Sequence, residues 1–475
     1  MPPTESVPSR DSALAEKSDA VCRMGAMMLA SGTGSYRVKA AMGRVAEALG
    51  IDQLDAQVSL NEIVATTRWG KRFRTQVVEV AAPSVNADRI SSLLRVSLAA
   101  RSDITAIELH RALDEVEQRR PLYALPVVAL GAAVACGAFA FLNNGRWQEC
   151  VAAGIAAGIG KMVQVLLNRQ RLNHLAVVAI AAATAGLAYM LLAQAMLLLP
   201  QAGTPVHEAA FTSAILFLIP GFPLVTAALD LARFDFTSGV SRLLYAGLIT
   251  LAAAVGVWIV AAGFGLTPGE VPASNPPGVS LAALQLLAGA LGVLGFAVTF
   301  NTPITVALTA ASIGAVANTG RLIAMDAGIN TLAATVAATT LVGLLAAWVS
   351  QRLPAPRITL SVPAVLIMIP GAAAYRALVA WIDRDPVTAL TNGSVALGVL
   401  LAMVIGLVLA RMLTDRAWTS PMPHWTRMPS THAQQLIMRN AEATDSEIPH
   451  FDGQTEPTVT RNESPLANSE HRSLD

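Results

Sequence analysis

The residues whose chemistry stands out are ionisable groups set inside otherwise apolar text: Lys161, Asp230, Asp235, Arg242, Asp326 and Arg376. A charge at the centre of a bilayer costs about 2.5 to 3.5 kcal/mol on insertion scales, so each needs a partner, a watery lining or a task. Spacing sorts them. Asp230 lies ten residues beyond Pro220, about 15 Å along a helix, and with Asp235, Arg233 and Arg242 it can form a gate or coupling cluster near one membrane face. A coupled transporter needs a group whose protonation changes during its cycle; Asp230 is the first choice, with Asp326 behind it. Arg376 sits six residues past Pro370, roughly 9 Å along a helix, where it can clamp a carboxylate bidentately or bond to headgroups or to Asp326. Lys161, with Gln164 on a neighbouring turn, pairs with an acid, snorkels or serves transport.

Two stretches position these groups, and they are copies of each other. Ala214 to Asp230 and Ala364 to Ala377 each centre on Ile-Pro-Gly, with Pro220 and Pro370 separated by 150 positions (370 − 220). The same ungapped shift superposes Ala214 on Ala364, Leu216 on Leu366, Gly221 on Gly371, Asp235 on Asp385 and Gly256 on Gly406. Proline removes a backbone donor and glycine relaxes the helix, so each pair predicts a broken helix at the membrane midplane. Backbone groups opened there need protein or a watery cavity, and broken helices matched between two halves point to a transporter's substrate site. The plainer alternative is a kink that only shapes a packed bundle.

Composition sets the class. A chain of 475 residues that is 54% hydrophobic and 14% charged, with a mean hydropathy of +0.53, is an integral membrane protein with polar ends. A net charge of +1 argues against nucleic-acid binding, and the three cysteines share no metal-ligand or disulfide spacing, so neither a metal nor another cofactor is expected. No apolar run appears before Leu122, so no cleavable signal peptide is expected.

The expected fold is an α-helical integral membrane protein of ten transmembrane helices in two inverted five-helix repeats, plus a small amino-terminal α+β cytoplasmic domain. Its parts are a disordered 1–10, the domain at 11–120, a first repeat at 121–266, an extracytoplasmic linker at 267–280, a second repeat at 281–413 and a disordered cytoplasmic tail at 414–475. In the domain, Val38, Met42, Val45 and Leu49 share a helix face, Gln57 to Thr67 and Phe73 to Val80 make a hairpin, and Thr105-x-x-Glu108 opens a helix as a capping box. The seventh span, 303–319, is short. Five helices per half is an odd number, so the second half enters the membrane facing the other way. Arginines at 169, 171, 233, 242, 352 and 357 against 146, 321 and 384 place both termini in the cytoplasm of a multi-pass plasma-membrane protein. Trp418, His424 and Trp425 suit an interfacial anchor.

The layout resembles the bacterial threonine/serine exporter family over about residues 20 to 412. The resemblance is carried by Tyr36-Arg37-Val38, Ile219-Pro220-Gly221 with Asp230, Asp235 to Arg242 with Ser238-Gly239, and Ile369-Pro370-Gly371 with Tyr375-Arg376. It implies a secondary exporter of threonine and serine driven by the proton motive force. A related branch, split into two polypeptides, is associated with dicarboxylate export; here both halves are fused. Lys161 matches no family motif.

Such a substrate offers a carboxylate, an ammonium and a hydroxyl. Pro220 and Gly221, and their counterparts Pro370 and Gly371, present half-helix N-termini that suit the carboxylate. Freed carbonyls, Thr226 or Tyr375 suit the ammonium, and Arg376 is a second carboxylate ligand; local satisfaction of a helix break is the competing role. The partners are thus a small amino acid, protons and the lipid bilayer, with a homo-oligomer open. The rivals are a membrane-anchored hydrolase acting through Ser35 or His110, around which no nucleophile-elbow or phosphate-loop motif stands, and a passive channel.

Overall fold

The structure is a computed structural model and describes residues 10–80, 84–102, 104–170, 172–197, 208–266, 279–353, 355–415 and 418. The expected disordered amino terminus and the linker lie almost wholly outside these residues. So does the expected tail, with His424 and Trp425.

The amino-terminal region begins with helices α1 (Arg10–Ala30) and α2 (Ser35–Ala48), followed by strands β1 (Gln53–Val58), β2 (Glu62–Trp69) and β3 (Arg72–Glu79), then α3 (Ala87–Ala99) and α4 (Ala106–Glu117). Val38, Met42, Val45 and Leu49 are all buried, as their helical spacing requires. They share a core with Met24, Met28, Leu109 and Leu113. The sheet has three strands rather than a hairpin. The single strand expected over Gln57–Thr67 is interrupted where Ser59 turns back, its N–H donating to the Glu62 carbonyl at 2.8 Å, so that Val58 pairs with Ile63 and β1 becomes a third antiparallel strand. The second turn, with Trp69 opposite Arg72, holds Gly70 at φ +63°, the left-handed geometry a tight hairpin asks for. The Thr105–Glu108 capping box is formed on both sides.

Beyond it run α5 (Leu125–Leu142), α6 (Trp147–Asn168), α7 (His174–Leu197), α8 (Glu208–Ser213), a single 3-10 turn (Leu216–Leu218), α9 (Gly221–Leu231), α10 (Phe236–Phe264), α11 (Val279–Thr299), α12 (Ile304–Asp326), α13 (Thr331–Val349), α14 (Arg357–Leu366), α15 (Gly371–Ile382) and α16 (Pro386–Thr414). Eight of these are long and apolar enough to cross a bilayer, and two pairs bent by 67° and 58° at Pro220 and Pro370 raise the number of crossings to as many as ten. The protein is therefore a helical multi-pass membrane protein. Leucines such as Leu130, Leu244 and Leu397 are exposed on these helices, a surface that only lipid satisfies.

The seventh span is not short. α12 runs 23 residues, and the sequence under-read it because Asn318, Thr319 and Arg321 lower its hydropathy to 1.3, the least of the eight, while its 56% burial is the greatest. Asn318 lies well inside this helix. The polar groups face protein, where hydropathy is a poor guide.

Packing and backbone geometry recur between the two halves. α5–α6, α6–α7, α7–α10 and α9–α10 pack as α11–α12, α12–α13, α13–α16 and α15–α16 do, and α5 joins α11. Pro220 and Pro370 adopt nearly the same backbone angles, φ −79°, ψ 59° and φ −81°, ψ 61°. Phe234 and Arg384, also 150 apart, both turn left-handed at φ +61° and +60°. For the first three helices of each half the shift is 157 instead: Asn144 and Asn301 are the left-handed pair there, at φ +64° and +55°. The matched Gly256 and Gly406 now have a cause. A Cβ on Gly256 would strike the Ala179 carbonyl of α7, and one on Gly406 the Val336 carbonyl of α13, residues that are themselves 157 apart.

Candidate functional site

At each break the proline cannot donate, and the following glycine N–H turns back by two residues: Gly221 donates to the Ile219 carbonyl at 2.8 Å and Gly371 to Ile369 at 2.9 Å. This is an inverse γ-turn, which ends one half-helix and starts the next at an angle. The two breaks lie against each other. Leu366 occupies the space where a Gly221 side chain would project, and Leu216 lies 3.9 Å from the same point on Gly371. Leu216 and Leu366 are repeat partners, so each break sets its leucine beside the other's glycine, Leu366 closely and Leu216 at ordinary van der Waals distance. With Phe139, Phe222 and Met368 they belong to one buried core. Of the residues expected to meet substrate at the breaks, Gly221 is buried, while Pro220, Pro370 and Gly371 stay partly exposed.

The other expected contacts fall to either side. Thr226 is buried, its hydroxyl donating to the Phe222 carbonyl at 3.0 Å and accepting from Arg242 at 3.4 Å. Tyr375 is buried edge-on to Phe211, with ring centroids 6.1 Å apart. Arg376 is half-buried. Lys161 donates to Gln164 at 2.9 Å and stands 5.9 Å from the Phe217 ring, beside the first break. Asp326 is exposed at the end of α12, which packs chiefly on α11, α13 and α14, so it does not join Asp230.

Asp230 and Arg242 do meet, and they are almost fully enclosed, at 2% and 1% exposure. Arg242 Nε is 3.4 Å from Asp230 Oδ2, and Ser238 Oγ donates to the same oxygen at 2.9 Å. The remaining partners come from the amino-terminal region. The Ser35 N–H, at the start of α2, donates to Asp230 at 3.2 Å, and Arg242 Nη2 donates to the Thr33 carbonyl at 2.8 Å. The N-cap Gly34 has no side chain to cap α2, and a Cβ there would stand 3.2 Å from Asp230 Oδ1. A carboxylate from α9 therefore caps a helix of the other layer.

Asp235 belongs to the same seam but not to Arg242. It accepts from Ser35 Oγ at 2.8 Å and from Lys39 at 2.6 Å. Arg233 lies outside the ionic cluster, stacked 3.7 Å over Tyr36 and 5.1 Å from Trp418. Thr33, Ser35 and Lys39 had no place in the expected site: Ser31 to Ser35 reads locally as a helix breaker, and only the second glycine, Gly34, hints at a close approach. Of the two residues named for the hydrolase reading, Ser35 donates its Oγ hydrogen to Asp235 and the His110 ring sits 3.2 Å from Arg23 Nη1. A second contact fastens the layers. The free N–H groups of Ala87 and Asp88 at the start of α3 donate to Phe300 and Asn301 at 2.9 and 3.2 Å. Among the described residues no group of three or more His, Cys, Asp or Glu could hold a metal ion.

The sequence has relatives among known proteins. Residues 19–263 match the family described as "Putative threonine/serine exporter", and residues 285–413 match a second, "Threonine/Serine exporter, ThrE". The "Threonine/serine exporter" of Corynebacterium glutamicum is 25% identical over 421 residues, 84% of this chain and 82% of that protein. The "Probable threonine/serine exporter" of Mycobacterium tuberculosis is 27% identical over 416 residues, 84% and 76% of the two chains. The "Probable succinate transporter subunit YjjP" of Escherichia coli is 28% identical over 251 residues, 51% of this chain and 94% of that protein. No solved structure matches. The first family match alone spans more than half of the sequence, and the chain belongs to the threonine/serine exporter family.

Proposed function

We propose that the protein is a secondary active exporter of small amino acids, threonine and serine, driven by the proton gradient across a bacterial plasma membrane. In this reading the ten crossings form two inverted five-helix halves, 121–266 and 281–413, and the domain at 11–120 lies with both termini in the cytoplasm. The solute passes between the breaks, where Pro220, Gly221, Pro370 and Gly371 free backbone groups and Thr226, Tyr375 and Arg376 stand to either side. The observation that carries it is the reciprocal packing of Leu216 on Gly371 and Leu366 on Gly221. A contact made by matching residues of the two halves can be traded for another arrangement when one half rocks against the other. Asp230 is the coupling group: protonation would cancel its attraction for Arg242 and loosen its hold on the Ser35 N–H, while Asp235 keeps Lys39. Lys161 remains a candidate for solute contact beside the first break, and Asp326 a weaker one for coupling. Two copies of the chain can associate without altering this scheme.

The test is efflux. Cells loaded with threonine or serine from a hydrolysable dipeptide should export them faster with the gene than without, and collapse of the proton gradient should remove the difference. Equal efflux would end the amino-acid reading. The relatives named for succinate transport favour a second substrate class, dicarboxylates, which the same assay run with succinate decides.

A further inference from the structure

Tyr36 and Arg37, two of the residues that carry the resemblance, take no part in the hydrogen bonds of the Asp230 cluster. They line two cavities at once. A space of about 170 Å³ is bounded by Thr33, Tyr36, Arg37, Arg44, Pro356 and Asp415. A narrow one of about 30 Å³ touches Tyr36 and Arg37 and reaches Thr226, Asp230 and Arg411. Among the described residues that line these spaces, cations outnumber anions. Arg37 feels the positive charges of Arg357 and Arg44 as well as the negative charge of Asp415, while Asp230 is already taken by Arg242 and Arg357 is spent on the Thr414 hydroxyl and carbonyl. Among the described residues, Arg44 Nε and the Thr33 hydroxyl are buried without a hydrogen-bond partner, although Arg44 Nη2 donates to Ser97. Burial lowers the pKa of Arg37, against the pull of Asp415 and with the push of Arg357 and Arg44. Clustered guanidinium groups and an idle hydroxyl, set round a space well below the roughly 300 Å³ of drug-sized pockets, fit a short solute that brings its own negative oxygens.

We infer that the larger cavity is a binding site for the carboxylate of a small solute, with Arg37 and Arg44 supplying charge-assisted hydrogen bonds and the Thr33 hydroxyl a neutral one. Tyr36, backed by the stacked guanidinium of Arg233, is the partition between this site and the narrow space beside Thr226 and Asp230. In an exporter this is the receiving site on the side of the amino-terminal region. Only that direction of passage rests on the proposed function; the binding does not.

The experiment titrates the purified full-length chain in detergent with L-threonine, succinate and L-threoninamide, which keeps the ammonium and side chain but lacks the carboxylate. Calorimetry should show binding of one or both carboxylates and none of the amide. Arg37→Gln and Arg44→Gln should each weaken that binding about tenfold or more, and Arg37→Lys should keep most of it. Thr33→Val, which breaks no existing side-chain hydrogen bond, should weaken it severalfold and serves if the arginine variants fold poorly. Threoninamide bound as tightly as threonine would overturn the inference, as would carboxylate binding unchanged in variants that melt like the parent. Binding with the expected pattern in a protein that exports neither threonine nor serine upholds the site and removes only the amino-acid reading.

Discussion

Asp230→Asn is the sharpest test of the seam between the two layers. The amide keeps the shape and can still accept from the Ser35 N–H and Ser238, but it leaves Arg242, at 1% exposure, without a counter-charge. Breaking a buried pair by removing one member costs about 3 to 5 kcal/mol, chiefly because the other charge is stranded. Removing both charges, as Asp230→Leu with Arg242→Met, spares that penalty. It still orphans the Ser35 N–H, the Thr33 carbonyl and the Ser238 hydroxyl, at about 1 to 3 kcal/mol for each group that stays buried. The double variant should therefore recover only part of the loss, with a coupling energy of about 2 kcal/mol between the two sites. Unfolding titrations with SDS on the parent, both single variants and the double variant supply the cycle. Single losses below about 1 kcal/mol, or losses that simply add, would refute the argument that this pair holds α2 against α9 and α10.

Gly221→Ala should abolish transport while the protein still inserts, because its methyl would meet Leu366, whereas Gly371→Ala should keep much of its activity, since the nearest side chains there stand off at 3.9 Å; efflux normalised to membrane content reads both. Leu216→Ala together with Leu366→Ala removes the leucines packed between the breaks at a cost of about 3 to 5 kcal/mol each and should raise passive leak of threonine into vesicles. Gly256→Val or Gly406→Val should block the close crossing of α7 with α10 or α13 with α16, lowering the folded fraction recovered by size-exclusion chromatography. Equal recovery with the parent would mean that these crossings tolerate a Cβ.

The breaks were legible in the sequence because proline and glycine act on their own backbone: Pro220 and Pro370 needed no tertiary information to be placed. The meeting of Asp230 with Arg242 was legible for a similar reason, since α9 and α10 are consecutive. What escaped is long-range. Ser35 and Lys39 lie 195 and 196 positions from the aspartates they serve, and no local pattern marks a buried N-cap supplied by another layer. Arg233 was misplaced with the ionic cluster because charge is visible in a sequence while stacking on Tyr36 is not.

The repeat itself was only half legible, because its register changes between the third helix of each half and the broken one. A single ungapped shift of 150 finds the breaks and the last helix of each half, whereas the first three helices answer to 157. At that shift Lys161 falls on Asn318 and Gln164 on Arg321, so the hydrogen bond from Lys161 to Gln164 at 2.9 Å has its counterpart in the one from Arg321 to Asn318 at 3.2 Å, cation and amide exchanged. Symmetry therefore resides in the backbone, and chemistry departs from it. Asp235 and Asp385 make the point most clearly: both precede a 29-residue helix and both follow a left-handed residue. Asp385 caps its own helix, accepting from the Thr388 N–H at 3.1 Å, while Asp235 makes no cap and turns instead to Ser35 and Lys39. In the inverted arrangement proposed above, these joints lie at opposite faces of the membrane, and the amino-terminal region can reach only one. A single docked layer is enough to turn the same residue on the same backbone from a helix cap into half of an interface.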